Sequence, residues 1–445
     1  MCESARRRAL PLPIFLRLIL LTFLATPGPL ASFAQSATPA ATPAPYASPL
    51  PPAWLEFGPD GRLLARVLTT SDCPPIEFDG LPSATTTRSR PSTDFPVVAC
   101  EAIVPFAVRS ATIAGQELPI PTGRFARIAV IGDTGCRLSD WDKRYQACND
   151  PAAWPFAQVA ESVATWQPDL VVHVGDYLYR EAACPAGNTG CAGSPFGDNW
   201  ETWNADFFAP VSPLLGSSPW VFMRGNHETC SRNPEGWFRY LDPRPFAADC
   251  QRFTDPYIIP MAGMTFSVID SAEASDTTES PEEVAAYREQ FAALSDLSPS
   301  GAWLVTHRPM WGILAGEDGE IEVDNASYQA ATGGALGADY ALLLSGHIHL
   351  AESLSFDSAS GRPAQLISGN AGTALDAVPS ASPAASELGD PQIEDAETLS
   401  SFGFLTLEPD GTSWIASQRN AAGDQLLRCQ LALPEITCTG ARPQP

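Results

Sequence analysis

Short runs of apolar and β-branched residues recur from residue 124 onward, and they constrain the fold more than any other feature. Such runs, bounded by turn residues, are typical of buried strands. Between some of them, residues 156–166 and 282–297 carry apolar side chains at helical spacing. This alternation predicts an α/β fold with a layered core. The predicted strands are Ala129–Ile131, Leu170–Val174, Trp220–Met223, Phe266–Ile269, Trp303–Val305 and Leu342–Leu344.

The region before this core divides into three parts. Residues 1–34 combine a basic patch, an interrupted apolar run and small residues near Ala34, which predicts a cleaved secretory signal peptide, with an uncleaved anchor as the alternative. Residues 35–52 are rich in Ala, Thr and Pro and predict a linker. Residues 53–122 predict a small β-rich unit, which is either a separate sandwich or an extension of the main sheet. The main domain is expected over 123–440.

Cysteine content favours export to a secreted, periplasmic or extracellular location. Of 11 cysteines, Cys2 lies in the predicted signal peptide and the others form an even set without CxxC spacing. Exported proteins oxidise such sets to disulfides, although free buried thiols are an alternative and sequence alone does not fix the connectivity. Pairing each cysteine with its neighbour along the chain predicts Cys73–Cys100, Cys136–Cys148, Cys184–Cys191, Cys230–Cys250 and Cys429–Cys438.

Charge excludes one large class of partners. The chain has 26 Lys and Arg against 51 Asp and Glu, a formal charge of -25. Such a surface repels phosphate backbones, so we expect no nucleic-acid scaffold binding. No run after the signal peptide is long enough to span a membrane. Residues 376–400, rich in Ala, Ser, Pro and acids, predict a surface loop, and 401–440 return to a strand pattern.

Polar side chains follow five predicted strands at the point where each strand ends. The segments are Gly132–Gly135, Gly175–Tyr179, Gly225–Glu228, Thr306–His307 and Gly346–His349, and all 5 histidines lie in them or next to one. Because ligands gather at the carboxyl ends of strands in α/β sheets, these side chains should meet. Carboxylate, amide, imidazole and phenol donors without thiolates suit Fe, Mn, Zn or Mg, and so many donors suit two ions sharing a bridge.

In order and spacing, these motifs resemble those of the calcineurin-like metallophosphoesterases, and most closely the purple acid phosphatases, over residues 124–350. In the wider superfamily the first motif usually has a histidine where this chain has Gly135, and Tyr179 supplies the replacement ligand position. The resemblance implies that the α/β core is a layered β-sandwich with flanking helices, and that it holds two metal ions. Fe(III) would bind Asp133, Tyr179 and His349; Zn, Mn or Fe(II) would bind Asn226, His307 and His347; Asp176 would bridge the two ions.

The resemblance also implies an activity. Attack by a metal-bound hydroxide would hydrolyse phosphate monoesters of small-molecule or protein substrates. His227, which is not a ligand in the family, would stabilise the transition state or protonate the leaving oxygen. Arg180, Arg224 and Arg308 adjoin ligand positions and are candidate phosphate contacts, with surface ion pairing as the alternative for each.

Some features depart from the family pattern. Leu304 stands where the fourth motif usually has valine, and no histidine is left for the additional cavity positions of the plant enzymes. The inserted loop 180–204 could reshape the cavity. A phosphodiesterase or nucleotide-pyrophosphate hydrolase on the same centre is therefore the main alternative, and a non-catalytic surface binding protein is a more distant one.

Overall fold

The computed structural model describes residues 52–315, 321–322, 325–336, 339–378 and 393–440. The predicted signal peptide lies outside the described residues, as does the predicted linker apart from its last residue. In the described part of the chain, no helix combines the length and the apolar character needed to cross a lipid bilayer.

Strands make up most of the regular secondary structure of the described chain, and helices are fewer. The strands are β1 Ala53–Phe57, β2 Leu63–Thr69, β3 Ile76–Phe78, β4 Leu81–Ser83, β5 Thr86–Ser89, β6 Val98–Ile103, β7 Ala111–Ile113, β8 Gln116–Leu118, β9 Ile128–Ile131, β10 Leu170–His173, β11 Pro219–Phe222, β12 Tyr257–Met261, β13 Met264–Val268, β14 Ala302–Val305, β15 Leu314–Ala315, β16 Ile321–Glu322, β17 Tyr340–Ser345, β18 Ala351–Phe356, β19 Ala364–Ser368, β20 Ile393–Leu399, β21 Gly403–Asp410, β22 Ser413–Asn420, β23 Gln425–Ala432 and β24 Glu435–Thr439. The helices are α1 Phe156–Trp166, α2 Trp200–Trp203, α3 Ser212–Leu215, α4 Pro234–Gly236, α5 Pro281–Leu297 and α6 Ala326–Thr332, with 3-10 or π turns at Pro59–Gly61, Asn204–Phe208, Asn226–Glu228, Trp237–Leu241 and Ser358–Ser360.

Two large mixed sheets form the centre of the fold. One has the order β24-β23-β22-β21-β9-β10-β11-β1-β2-β6-β5, and the other has the order β12-β13-β14-β17-β19-β18-β20. Strands β9, β10, β11 and β1 are parallel to one another, and so are β13, β14, β17 and β19. Because parallel strands end at the same edge, the turns that follow β9, β10, β11, β14 and β17 can meet there.

The sheets pack face to face and helices cover their outer faces. Val130 and Val172 of the first sheet share one apolar cluster with Val305 and Leu344 of the second. On the far side of the first sheet, α1 buries Phe156, Val159, Ala160 and Val163, whose spacing defines one helical face. On the far side of the second, α5 and α6 pack through the side chains Tyr287, Phe291, Leu294 and Tyr328. The predicted layered α/β fold is confirmed.

The predicted strands and both predicted helices are present, but the predicted loop 376–400 is partly wrong. Its described end, β20, pairs antiparallel with β18 and extends the seven-stranded sheet. Ile393 and Ala396 pack on the α5 side of that sheet, and Leu399 packs against the opposite sheet. The pairing register shifts between Ser355 and Phe356 of β18, which interrupts the regular alternation of side chains along β20. The apolar residues of this acid-rich strand therefore lack the two-residue spacing that predicts a strand from sequence.

The N-terminal β-rich region is joined to the main sheet. β1 pairs in parallel with β11, and β2, β6 and β5 follow it to the edge. A separate four-stranded sheet has the order β4-β3-β7-β8. Two buried arginines fasten the region to the chain after the third motif: Arg66 donates to the carbonyls of Tyr240 and Asp242, and Arg88 donates to those of Phe238, Arg239, Asp242 and Arg244.

All five predicted disulfides are present: Cys73–Cys100, Cys136–Cys148, Cys184–Cys191, Cys230–Cys250 and Cys429–Cys438. Cys429 and Cys438 face each other across β23 and β24. The other four bridges lie wholly or partly in loops.

Candidate metal centre

Three of the predicted ligands lie in sharp turns directly after strands. Asp133 follows β9, Asp176 follows β10 and His347 follows β17, and all three have positive φ, at 58°, 61° and 72°. Left-handed backbone is costly for residues other than glycine and is retained where the surroundings enforce it, often at functional sites. These turns direct the three side chains to the common edge of the two sheets.

The hydroxyl of Tyr179 lies at the centre of the first group of donors. It is 2.9 Å from Oδ1 of Asp133, 2.8 Å from Oδ2 of Asp176 and 2.9 Å from Nε2 of His349. A phenol has one proton to donate, so it cannot satisfy three acceptors at once. The group therefore contains more acceptor atoms than donors, as a cation site requires.

His307 lies at the centre of the second group. Its Nε2 is 2.9 Å from Oδ1 of Asn226 and 3.3 Å from Oδ2 of Asp176. Ligand atoms of Asp176, His307 and His347 all lie within 4.8 Å of one another. Asp176 is thus the side chain that reaches both groups, so the structure brings all seven predicted ligands together.

Backbone carbonyls fix the ring orientation of two histidines. Nδ1 of His307 donates to the carbonyl of Val174 at 2.8 Å, and Nδ1 of His349 donates to that of Ala374 at 3.1 Å. With the proton on Nδ1, the lone pair of Nε2 faces the site and can bind a metal. Burial lowers the pKa of His349 and of His347 to about 4, so both rings are neutral at neutral pH, the form that binds metal.

Glycines make room for this arrangement. A Cβ at Gly135 would lie 2.6 Å from the carbonyl oxygen of Tyr177 and 2.7 Å from the backbone nitrogen of Tyr179. No larger side chain, including a histidine, fits there while Tyr179 keeps its place. The exchange of histidine for glycine in the first motif is therefore coupled to the tyrosine in the second.

Burial opposes ionisation of the acidic groups in the site. Asp133 and Tyr179 are fully buried, and Asp176 is 1% exposed. Burial, and next the charge of Asp176, raise the pKa of Asp133 well above its usual range. Burial acts in the same direction on Asp176, but His307 and His227 outweigh it and hold its pKa below the usual range. Burial and both carboxylates raise the pKa of Tyr179.

His227 borders these groups without joining them. Its ring packs on that of Tyr179, with 3.7 Å between ring centroids, and its Nε2 is 3.8 Å from Oδ2 of Asp176. Nδ1 lies 3.2 Å from Oε1 of Glu181, which Arg232 also contacts at 2.7 and 2.9 Å. Burial, and next the charge of Arg232, lower the pKa of His227.

Two of the three predicted phosphate contacts lie elsewhere. Arg180 is buried, pairs with Asp206 and lies over the ring of Trp154. Arg224 is buried and donates to Asp270 and to backbone carbonyls near the Cys230–Cys250 bridge. Their position next to ligands in sequence was misleading, because both side chains point away from the site into packed, charge-neutralised surroundings.

Arg308 does reach the site, together with an aspartate that no motif indicated. Its guanidinium pairs with Asp276 and lies 2.8 Å from Nε2 of His347, which in turn is 2.8 Å from Oδ2 of Asp276. Although burial alone would raise it, His347 and Arg308 hold the pKa of Asp276 far below its usual range. Asp276 lies in the loop after β13, and its distance from every motif left no sequence signal to find it by.

The donors open into a cavity of about 930 Å³. Its wall contains residues that the motifs did not indicate, above all the segment 137–144, Glu181, Arg232 and Asp376. A second cavity of about 330 Å³ adjoins it and shares Asn226, Arg232, Asp276 and Arg308. Carboxylate, amide, phenol and imidazole donors at the base of an open cleft are the arrangement of a metal-dependent hydrolase, because reactants can reach ions held there.

The sequence comparison identifies the class. The profile of the calcineurin-like phosphoesterases matches residues 126–351, just over half of the 445 residues and a span that contains every candidate ligand. The protein is a hydrolase acting on phosphoester bonds. The chain belongs to the calcineurin-like phosphoesterase family, which uses a dinuclear metal centre. No curated protein sequence matches the chain.

Solved structures show the same fold. A purple acid phosphatase from seeds of yellow lupin (Lupinus luteus) is 14% identical with a TM-score of 0.51, over 84% of this chain and 72% of that one. The structure of PhoD is 11% identical with a TM-score of 0.54, over 90% of this chain and 94% of that one. At these identities the similarity concerns the fold alone.

Proposed function

We propose that the protein is an exported phosphomonoesterase with two metal ions, and that Asp176 bridges them. The first ion would bind Asp133, Tyr179 and His349, and the second would bind Asn226, His307 and His347. One observation carries the proposal: side chains from five separate strand ends meet here, with donor atoms 2.8 to 3.3 Å from the hydroxyl of Tyr179 or from Nε2 of His307. Buried carboxylates packed this closely need cations to offset their charge.

Fe(III) is the ion that suits the tyrosine position. The raised pKa of Tyr179 means that the phenol keeps its proton unless a strongly polarising cation removes it. The second position has an amide oxygen and two imidazoles, which suit Zn, Mn or Fe(II). When bound, the two ions polarise the phosphoryl oxygens, activate a water molecule and offset the negative charge of the phosphate.

His227 is the proposed general acid. Its ring borders Tyr179 and Asp176, and Oε1 of Glu181 lies 3.2 Å from Nδ1. The imidazolium form of His227 can donate a proton to the leaving oxygen of the ester. Arg232, and Arg308 beside His347, line the cavity and supply positive charge near the phosphate.

A phosphodiesterase or nucleotide-pyrophosphate hydrolase is the second candidate, and one feature favours it. The smaller cavity meets the larger one at Asn226, Arg232, Asp276 and Arg308, which leaves space for a second organic group on the phosphorus. A monoester would leave the smaller cavity to water.

A substrate panel with metal analysis tests the proposal. An aryl phosphate monoester and the matching aryl diester should be compared on protein whose bound Fe, Zn and Mn have been quantified. A kcat/KM at least tenfold higher for the monoester, with about two metal ions per chain, is the expected result. A higher kcat/KM for the diester would favour the second candidate. Metal-loaded protein that hydrolyses neither ester would indicate a binding role instead of catalysis.

Export is the remaining part of the proposal. The five disulfides support it, because such bridges persist in oxidising compartments. We propose cleavage after Ala34, a linker over 35–52, the β-rich unit over 53–122 and the phosphoesterase domain over 123–440. N-terminal sequencing of exported protein should find Gln35 as the first residue. Mature protein that retains residues 1–34 would contradict the cleavage.

A further inference from the structure

An exposed tryptophan stands at the mouth of the larger cavity. Trp141 is 91% exposed and lines that cavity, and its ring contacts no other aromatic ring in the described part of the chain. Other exposed large apolar side chains, such as Phe106 at 102%, lie outside the cavity wall. A large aromatic ring left in water at the rim of a cleft indicates a binding surface.

The segment that carries Trp141 is held rigidly. Cys136 and Cys148 close it by a disulfide, and Leu138 pairs with Tyr145 across it. The backbone nitrogen of Leu138 donates to the carbonyl of Tyr179 at 3.0 Å, and Ala182 donates back to Leu138 at 2.9 Å. The segment is thus fastened to the backbone of Tyr179, so the backbone that carries the ring is anchored beside the candidate metal centre.

The volume and the charge of the cavity restrict the kind of substrate group that can bind beside Trp141. A cavity of 930 Å³ lies at the upper end of the roughly 300–1,000 Å³ typical of sites that enclose drug-sized ligands, far more than a phosphate needs. Apart from Asp176, the charged side chains of the wall balance, with four arginines against four acids, so it offers no excess charge to a second phosphate. These residues are Arg137, Arg144, Arg232 and Arg308, and Asp142, Glu181, Asp276 and Asp376.

We propose that Trp141 is a specificity-determining residue that stacks on a flat, uncharged aromatic ring of the substrate, so that esters with one phosphate and an aromatic group are preferred. The inference rests on the proposed phosphomonoesterase function and names its substrate class. The ring can come from a nucleobase or from an aryl alcohol, because both present a π-face to the indole.

Two substrates that differ only in the ring test the inference. Adenosine 5′-monophosphate and ribose 5-phosphate have the same phosphate and sugar carbon, and only the former has a nucleobase. Trp141→Ala should lower kcat/KM for the nucleotide roughly tenfold, mainly through KM, as expected for the loss of one stacking contact. The kcat/KM of the same variant for ribose 5-phosphate should change less than twofold. Trp141→Phe should retain most of the preference for the nucleotide. Phe106→Ala, the exposed control, should change kcat/KM for neither substrate.

A phenyl phosphate arm distinguishes the two sources of the ring. If Trp141→Ala lowers kcat/KM only for the nucleotide, the surface binds a nucleobase. If it lowers kcat/KM only for phenyl phosphate, the surface binds an aryl group. Equal changes for all three substrates, or none, would overturn the role of Trp141 while leaving the phosphomonoesterase intact. If the metal-loaded wild-type protein hydrolyses none of the three, the proposed function itself is overturned.

Discussion

The backbone of Gly225 lies directly against the carboxylate of Asp176. A Cβ added to Gly225 would overlap Oδ1 and the backbone nitrogen of Asp176, closer than real Cβ contacts allow. From the next turn of chain, the backbone nitrogen of His227 donates to the same Oδ1 at 2.8 Å. The third motif therefore positions the proposed bridging carboxylate of the second motif, in addition to supplying Asn226.

Gly225→Ala should consequently lose metal and activity together. The new methyl group would displace the Asp176 side chain, and we expect at least a hundredfold fall in kcat/KM with less than one metal ion retained per chain. Metal analysis and circular dichroism on the same sample check this. Gly123→Ala is the matched control, because a Cβ there meets no atom within 4 Å and the backbone is unstrained. Full metal content in Gly225→Ala would show that Asp176 tolerates the shift.

His227→Ala and Asp176→Ala should separate chemistry from metal binding. His227 lies outside the proposed ligands, so its loss should leave both ions bound and slow the reaction by roughly 10²–10⁴-fold. The loss should shrink for esters with good leaving groups, which need no proton. Asp176→Ala should lose metal. If His227→Ala loses metal, or slows all esters equally, then His227 is a ligand or a purely electrostatic contact, and Glu181, which lines the cavity beside it, becomes the next candidate acid.

Tyr179→Phe should remove colour if the first ion is Fe(III). A phenolate bound to iron gives an absorption band in the visible range, and phenylalanine lacks the oxygen. The iron content and the absorption spectrum of both proteins should be measured after loading under identical conditions. A colourless, active wild-type protein that contains only Zn or Mn would refute the iron assignment.

Arg232 should set the pH range over which His227 donates. Burial is the largest cause of the lowered pKa of His227 and the positive charge of Arg232 is the next, so removing that charge should raise the pKa. With a poor leaving group, activity needs protonated His227 and is lost as pH rises through its pKa. The alkaline limb of the profile should therefore move to higher pH in Arg232→Gln. Arg232→Lys keeps the positive charge, so its alkaline limb should stay where it is in the wild-type protein. Equal shifts in both variants would indicate that the arginine acts through its contacts rather than through its charge.

Glu352 should make the protein less stable as pH rises. It is fully buried in β18, and burial raises its pKa to about 8. Between about pH 4.5 and 8 the unfolded chain ionises this group while the folded protein keeps it protonated, so stability falls by up to about 4 kcal/mol. Glu352→Gln should flatten the fall in Tm between pH 5 and pH 8. Glu289→Gln, exposed on α5, should leave it unchanged, and an unaltered slope in Glu352→Gln would contradict the assignment.

The proposed metal ligands could be predicted because each lies just after a short apolar strand, in most cases in a turn that contains a glycine. Strand ends in a parallel sheet converge, so position along the chain was enough for Asp133 or His307. Side-chain direction was not available from sequence, and Arg180 and Arg224 were misjudged for that reason. Asp276 was missed because it comes from a loop without a motif and reaches the site only through the packing of the second sheet.

The disulfides have a consequence for how the chain acquires its covalent form. From Cys73 on, the cysteines pair in sequence order, so that each disulfide joins two successive cysteines separated by 7 to 27 residues. A chain threaded through a translocation channel from its N-terminus would therefore expose each pair complete before the next pair arrived. Oxidation in order of emergence gives the native set without reshuffling, so maturation should need an oxidase but no isomerase.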